Sequence, residues 1–247
     1  MAARQATLYR MVTDQHVCPF GLKAQHLLRS RGLQVDDRPL KSREEIEALR
    51  ARLGVETTPQ VFIDGERIGG YDDLRRHFGK RVRDPKAVTY APVVAVFAMT
   101  GLMAAAASQA AFGSPFTAPA ARWFIAFSMS VLAILKLRDV ERFSSMFLGY
   151  DLLAGRWPPY AYVYPFAEAL AGVLMISGAL TWLAAPVALF IGGVGAASVF
   201  KAVYIDKRAL KCACVGGDSN VPLGFISLTE NLMMAAMGAW MLAAPMT

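Results

Sequence analysis

From Tyr90 onward the chain carries five apolar segments, each long enough or nearly so to span a bilayer, which takes about 20 residues. They run Tyr90 to Phe112, Ala120 to Leu137, Ala161 to Leu183, Val187 to Ile205 and Pro222 to Ala243. One such run could be a buried core helix. Five in succession, with short connections, restrict this part of the chain to an all-α polytopic membrane helix bundle. Residues up to about Arg83 read differently, as a small soluble domain whose Lys and Arg are interleaved with Asp and Glu. The expected division is a soluble domain at 1–83, a linker at 84–89 and a membrane domain at 90–247.

The net charge of +7 has a topological explanation. In the apolar half, basic residues cluster at the edges of the hydrophobic runs, which excludes nucleic acid as the reason for them. Lys136, Arg138, Arg142 and Arg156 lie between the second and third spans, and Lys207, Arg208 and Lys211 between the fourth and fifth. The other connections carry at most Arg122, and the Ala184-Ala185-Pro186 turn carries no charge. Positive-inside reasoning then places the N-terminal domain and the loop after the fourth span on the cytoplasmic side of the inner (plasma) membrane. The opening MAARQATLYRMV lacks the apolar core of a signal peptide, so export by a cleaved signal is not expected.

The chain has three cysteines, and each belongs to one of two motifs, Cys18-Pro19-Phe20-Gly21 and Cys212-Ala213-Cys214. That is too few for a disulfide-stapled scaffold and suits a reducing compartment. In the soluble part, Ala6 to Val12 reads as a strand and Leu33 to Arg38 as a second. Between them, helical spacing runs from Pro19 to a stop at Gly32. Ser42-Arg43-Glu44-Glu45 is a capping box opening a helix that ends before Gly54. Gln60 to Ile63, the Asp64-Gly65 turn and Glu66 to Ile68 form a hairpin, and a last helix follows Gly69-Gly70. The order β-α-β-α-β-β-α is the minimal α/β thioredoxin-like arrangement. A cysteine placed at the start of its first helix faces unpaired backbone N–H groups and the positive end of the helix dipole, which favour the thiolate. Pro19 suits the first helical turn, having no N–H to lose. Lys23 adds positive charge one turn on, and the bland alternative is a buried structural cysteine.

Over about residues 6 to 80 this domain resembles the glutaredoxin family. Thr57-Thr58-Pro59-Gln60-Val61-Phe62-Ile63 is similar to the family's Thr-Val-Pro segment, whose proline is cis, and Ile68-Gly69-Gly70-Tyr71-Asp72-Asp73-Leu74 to its Gly-Gly-x-Asp-Asp-Leu motif. The resemblance implies glutathione as co-substrate. It places Thr58, with Pro59, beside the cysteinyl unit, Gly70, Tyr71 and Asp72 at the γ-glutamyl end, and Lys23 and Gln60 facing the glycine carboxylate. Two departures stand out. The second cysteine of the usual Cys-Pro-Tyr-Cys motif is Gly21, so Cys18 has no local resolving partner and is expected to work through a mixed disulfide. The loop before Cys18 is also longer than usual, with Gln15 where a lysine is typical and His16 beside it as a solvent-facing loop residue.

Asp139 to Arg156 is too charged to span, and Phe143, Met146, Phe147, Tyr150 and Leu153 at helical spacing suggest an amphipathic helix on the membrane surface. Together with Leu135-Lys136-Leu137-Arg138-Asp139 and the Glu168-bearing span, this region resembles the MauE/DoxX-like family over about residues 120 to 243. That resemblance implies a link to the maturation or maintenance of disulfide-containing and redox proteins. Charged groups inside spans are costly and therefore suggestive. Glu168, Lys201, Glu230 and Asn231 all fall in the cytoplasmic half of the spans, where a polar pocket beneath Cys212 and Cys214 is expected. The alternative is that they pair with one another to hold the helices together.

A Cys-x-Cys disulfide closes a small ring and should be easily reduced, with Gly216-Gly217 letting the loop bend toward a partner. These features favour a membrane-anchored, glutathione-linked thiol–disulfide oxidoreductase. In it, Cys18 exchanges with Cys212 and Cys214, lipid surrounds the spans, and the final thiol or disulfide substrate is unspecified. No metal is required. The competing reading is a soft-metal carrier in which Cys212, Cys214 and Cys18 supply thiolates to Hg, Cu or Zn.

Overall fold

The computed structural model describes residues 4–82, 84, 87–213 and 220–243. The chain divides into two compact units, Met1–Pro85 and Lys86–Thr247.

In the first unit, β1 (Gln5–Met11), α1 (Pro19–Ser30), β2 (Gln34–Leu40), α2 (Arg43–Leu53), β3 (Gln60–Ile63), β4 (Glu66–Gly69) and α3 (Tyr71–His77) follow in order. The sheet runs β2-β1-β3-β4, with β1 parallel to β2 and antiparallel to β3, and β4 antiparallel to β3. Pro39 sits in β2, an edge strand, where a missing N–H breaks no internal ladder. The hairpin turn uses Asp64 and Gly65 at φ 51° and 86°, the paired positive angles of a type I′ turn. Ser42 caps α2 by accepting from the Glu45 N–H at 3.2 Å, while the Glu45 carboxylate reaches back to the Lys41 N–H at 2.7 Å. Apolar residues of β1 (Ala6, Leu8), α1 (Ala24, Leu27, Leu28), β3 (Val61, Ile63) and α3 (Leu74) form one core. The result is a thioredoxin-like α/β domain.

The second unit contains α4 (Ala91–Phe112), α5 (Ala118–Leu137), α6 (Val140–Phe147), α7 (Pro159–Ser177), α8 (Thr181–Phe200) and α9 (Phe225–Ala243). One π-helical turn, Lys201–Ile205, extends α8. Five of these helices, α6 excepted, are long and apolar enough to cross a membrane. Their outward faces carry Val94, Leu102, Phe166, Trp182, Phe190 and Leu232. So many large apolar side chains on the outer face are unlike a water-facing surface and suit lipid as the outer solvent.

Two expectations need correction. The break between the third and fourth spans falls at Gly178, which takes a left-handed φ of 68°, and not at Ala184-Ala185-Pro186. Pro186 lies inside α8, as transmembrane helices tolerate when neighbouring groups compensate for one lost bond. The apolar face of Asp139 to Arg156 also turns into the protein. Phe143 and Phe147 are buried, and their rings stack on each other (5.0 Å) and against Tyr164 of α7 (5.9 and 4.8 Å). That segment packs its aromatic face against α7.

Helices α8 and α9 approach each other closely along their length. A methyl group on Gly192 would fall 2.7 Å from the Ala235 nitrogen and 2.8 Å from the Asn231 carbonyl oxygen. Small residues at such crossings let backbones meet without relying on a hydrophobic driving force that lipid does not supply.

Candidate functional site

Cys18 occupies the N-cap of α1 with extended backbone (φ −65°, ψ 115°), and Pro19 follows as the first helical residue. Its N–H donates to the Met11 carbonyl at 3.0 Å, and its carbonyl accepts from the Leu22 N–H at 3.2 Å. The thiol is free and 6% exposed. The longer preceding loop is closed by a Val12–Val17 bridge and by reciprocal backbone bonds between Thr13 and His16. His16 is exposed on that turn.

The two downstream motifs meet at the end of the β3–β4 hairpin. Thr58–Pro59 is a cis peptide bond, and the Gly70 backbone lies against the Pro59 carbonyl, which a Cβ on Gly70 would approach at 3.8 Å. The Gly70 N–H donates to Asp73 at 3.0 Å, and Asp73 also pairs with Arg76 at 2.6 Å. Asp73 is therefore the capping carboxylate of α3, whereas Asp72 is exposed. Tyr71 packs on the Phe20 ring at 6.1 Å, and the Lys23 ammonium lies 5.3 Å from the centroid of that same ring. Lys23 and Tyr71 also line one surface hollow between α1 and α3, with His26 and Lys80. Gln60 stands apart from this group. Its amide is buried, donating to the Thr57 carbonyl at 2.9 Å and accepting from Arg67 at 3.1 Å, so both ends hold the hairpin.

In the place of the second cysteine, Gly21 packs against a strand side chain. A Cβ there would fall 2.7 Å from the Arg10 Cβ. Arg10 is itself fixed by two bonds to Asp37, at 2.8 and 2.7 Å, and Asp37 also accepts from Gln25 at 2.8 Å.

In the membrane unit, the arms of the loop between α8 and α9 are zipped together. Cys212 N–H donates to the Val221 carbonyl and Leu223 N–H to the Leu210 carbonyl, each at 2.8 Å. Cys212 is 1% exposed and disulfide-bonded, and the Ser227 hydroxyl donates to its sulfur at 3.1 Å. Cys214 and Gly216-Gly217 lie outside the described residues. Beside Cys212 is a small cavity, with about 20 Å³ open to the centre of a water molecule. Ser227, Glu230 and Asn231 of α9 line it, together with Lys136, Tyr150 and Tyr164.

Glu168 and Glu230 converge on Lys136, whose ammonium lies 2.6 Å and 3.3 Å from their respective carboxylates. All three are buried, and the ammonium also sits 5.4 Å from the Tyr164 ring centroid. Lys201 does not join them. It pairs with Asp206 at 2.6 Å, with its side chain 47% exposed, because the π-helical turn carries it to the rim of the bundle. Lys136 takes the place expected for Lys201. Its position next to Arg138 reads as a flanking charge in sequence, and only the paired spans reveal it as an interior one. Ser227 also goes unnoticed in sequence, although its spacing of three from Glu230 puts both on one face of α9.

Asp151, in the segment before α7, accepts from the Leu153 and Ala154 N–H groups at 3.0 and 2.8 Å and from the Ser198 hydroxyl at 2.9 Å. Burial pushes its carboxyl above the usual range, and the hydrogen bonds only partly offset that. Among the described residues, no group of three or more His, Cys, Asp or Glu side chains is arranged to hold a metal ion.

A thioredoxin-fold domain with a helix-capping thiol, joined to a polytopic bundle that buries an oxidised cysteine beside a charge cluster, defines a two-domain membrane protein built around thiols. The family model described as methylamine utilisation protein MauE matches residues 86–244, and the glutaredoxin model matches residues 7–68. The chain belongs to the MauE family and carries a glutaredoxin domain ahead of its membrane domain.

Similar curated proteins match the first domain. They include the hybrid peroxiredoxin hyPrx5 of Haemophilus influenzae, 46% identical over 61 residues, which are 25% of this chain and 25% of that protein. Glutaredoxin 3 of Escherichia coli is 38% identical over 64 residues, 26% of this chain and 77% of that protein. The chain thus spans about a quarter of the hybrid peroxiredoxin and most of the glutaredoxin. Among solved structures, that of glutaredoxin 1 from Francisella tularensis complexed with cacodylate matches with a TM-score of 0.28 at 20% identity, covering 31% of this chain and 94% of that one. The first domain is a thiol–disulfide oxidoreductase-like domain, and the MauE match with the five apolar helices points to a multi-pass membrane protein.

Proposed function

We propose that the protein is a membrane-anchored, glutathione-linked thiol–disulfide oxidoreductase. Cys18 is its nucleophile, and the Cys212 disulfide of the membrane domain is its exchange partner. The Cys212-Ala213-Cys214 motif supplies the exchanging pair in this reading. The observation that carries this reading is where the chain enters the membrane unit. Thr89 N–H donates to the Asn220 carbonyl at 3.4 Å, and Val93, at the start of α4, packs in one cluster with Cys212, Val221 and Leu223. The chain therefore enters the membrane unit at the end of the bundle that holds the buried cysteine, and the basic residues of the loops support reading this as the cytoplasmic end.

The exchange balances with glutathione as the net reductant. The Cys18 thiolate attacks the disulfide, forming a mixed disulfide with one sulfur and releasing the other as thiolate. One glutathione thiolate then displaces the membrane cysteine, leaving glutathionylated Cys18. A second glutathione frees Cys18 and departs as glutathione disulfide. The membrane dithiol gains two electrons and two protons. Gly21 leaves Cys18 without a local resolving thiol, which is why the second thiol must come from outside the motif. Thr58, Pro59, Gly70, Tyr71, Asp72 and Lys23 fit a glutathione seat beside Cys18, whereas Gln60 contributes through the hairpin it braces.

The test is thiol trapping of full-length protein in membranes equilibrated with reduced and oxidised glutathione, followed by non-reducing peptide mass spectrometry. A Cys18–Cys212 or Cys18–Cys214 linkage, lost in Cys18→Ser, is expected. Glutathione on Cys18 alone, with the membrane pair reduced at the wild-type rate in Cys18→Ser, would refute the relay.

A further inference from the structure

A hollow of about 320 Å³ opens where α8 ends. Its walls come from two stretches distant in sequence. The segment between α6 and α7 contributes Asp151 and Arg156, and the π-helical turn with its exit contributes Lys201, Asp206 and Arg208. Three cations and two carboxylates thus line it, but both carboxylates are already engaged. Asp151 accepts from the Leu153 and Ala154 N–H groups through one oxygen and from the Ser198 hydroxyl through the other. Asp206 is taken up by Lys201 at 2.6 Å. Arg156 and Arg208 are exposed, and neither guanidinium has a hydrogen-bond or ion-pair partner among the described residues. Local backbone geometry holds Arg208 in place. Lys207 takes a left-handed φ of 51°, unfavourable for an L-residue, and the Arg208 N–H donates back to the Ala202 carbonyl at 2.9 Å. The surroundings are those of a membrane interface. Trp157 follows Arg156 and is exposed, and the turn that carries Lys201 also exposes Tyr204 and Ile205, with the Tyr204 ring stacked on Phe200 at 5.4 Å. Trp and Tyr favour the level of the lipid headgroups, which sets the two guanidiniums where lipid phosphates stand.

We propose that this hollow binds the phosphate group of an anionic phospholipid, gripped between the Arg156 and Arg208 guanidiniums. Arginine presents a planar fork of donors that matches phosphate oxygens bidentately, which a lysine ammonium does not. Basic pockets between spans are suited to such headgroups. An anionic headgroup fits the surplus positive charge, whereas a zwitterionic one would bring its own cation against the arginines. The exposed Phe200 and Ile205 side chains offer the acyl chains an apolar surface beside the hollow. A soluble phosphate would satisfy the same forks but would leave those side chains and Trp157 unused. The site stands independently of the thiol relay, although it adjoins it in the chain. Leu210, two residues past Arg208, accepts from the Leu223 N–H in the zipped arms that carry Cys212. A headgroup held by both arginines would therefore fasten that loop to the segment before α7.

The test is native mass spectrometry of the full-length protein in neutral detergent, titrated with phosphatidylglycerol, phosphatidylcholine or inorganic phosphate. Wild-type protein should retain phosphatidylglycerol in preference to phosphatidylcholine. Arg156→Gln and Arg208→Gln should each weaken that binding about tenfold, the loss of hydrogen bonds to a charged group. Arg156→Lys keeps the charge without the fork and should recover only part of it. Arg138→Gln removes an exposed cation that lies outside the hollow, and it should bind like wild type. Both arginines of the hollow are exposed, so the variants should fold, and unfolding in detergent without added lipid checks that they do. Unchanged binding in Arg156→Gln and Arg208→Gln, or an equal loss in Arg138→Gln, would overturn the proposal. Inorganic phosphate that displaces phosphatidylglycerol at matching concentration would overturn the lipid assignment in favour of a soluble phosphate.

Discussion

Restoring a second cysteine to the Cys18 motif should damage the domain unless Arg10 is shortened with it. In Gly21→Cys the new Cβ would stand 2.7 Å from Arg10 Cβ and 3.2 Å from its Cδ, both inside contact distance. Arg10 cannot simply swing away, because its guanidinium makes two bonds to Asp37 and its side chain is 13% exposed. Overpacking of this kind costs about 1–3 kcal/mol, against a gain of roughly 0.5 kcal/mol from removing a helical glycine. A net loss of about 1–2 kcal/mol corresponds to roughly 5- to 30-fold more frequent opening of α1 and β1. Hydrogen-exchange mass spectrometry on the full-length protein reads that opening directly, peptide by peptide. The double variant Arg10→Gly/Gly21→Cys, which removes the Arg10 Cβ as well, should recover at least ~0.5 kcal/mol relative to the sum of the single changes, the signature of two residues in contact. Unchanged exchange in Gly21→Cys, or strictly additive effects in the double variant, would refute the packing argument.

Other outcomes follow from the membrane unit. Lys136→Met leaves two buried carboxyl groups facing each other, and loss of one partner from a buried ion pair costs about 3–5 kcal/mol. Tryptophan fluorescence during denaturant unfolding in detergent can measure this, since all four tryptophans lie beyond residue 90. Gly192→Ala should destabilise by about 1–3 kcal/mol because backbone atoms of α9 block its methyl group, whereas Gly193→Ala, with nothing within 4 Å, should be neutral or mildly stabilising. A similar loss for both would contradict the close helix approach. Asp151 has a folded-state ionisation raised by burial, so the stability it permits is full below the unfolded value and is lost as pH rises through the folded one. Asp151→Asn should therefore flatten the decline of stability with rising pH, and unfolding midpoints for both proteins across that range would show it.

Sequence reading succeeded where the determining interactions are local. Ser42 with Glu45, the Asp64-Gly65 turn and Pro19 after Cys18 each act within a few residues, so the order of elements in the first unit could be read directly. In the membrane unit, apolar length located the spans, but proline misplaced one boundary, because Gly178 terminates α7 and Pro186 is absorbed into α8. The charge cluster was half legible. Glu168 and Glu230 were visible as isolated charges inside apolar runs, but Lys136 meets them across 32 and 94 residues of chain. Local pattern carries no trace of such pairing, and a lysine at a span end is equally consistent with a headgroup contact. The inward face of α6 was misassigned for the same reason: periodicity shows that a stripe is apolar but not whether lipid or protein covers it.

The attachment of Thr89 beside Asn220 has a kinetic consequence. In sequence, only residues 78–90 separate α3 from α4. Short flexible tethers give effective concentrations of about a millimolar, whatever the amount of protein in the membrane. Under the proposed relay, exchange between domains is therefore a first-order event that needs no tight interface. Cutting the tether would convert the reaction to a second-order one, and its rate would then fall with dilution.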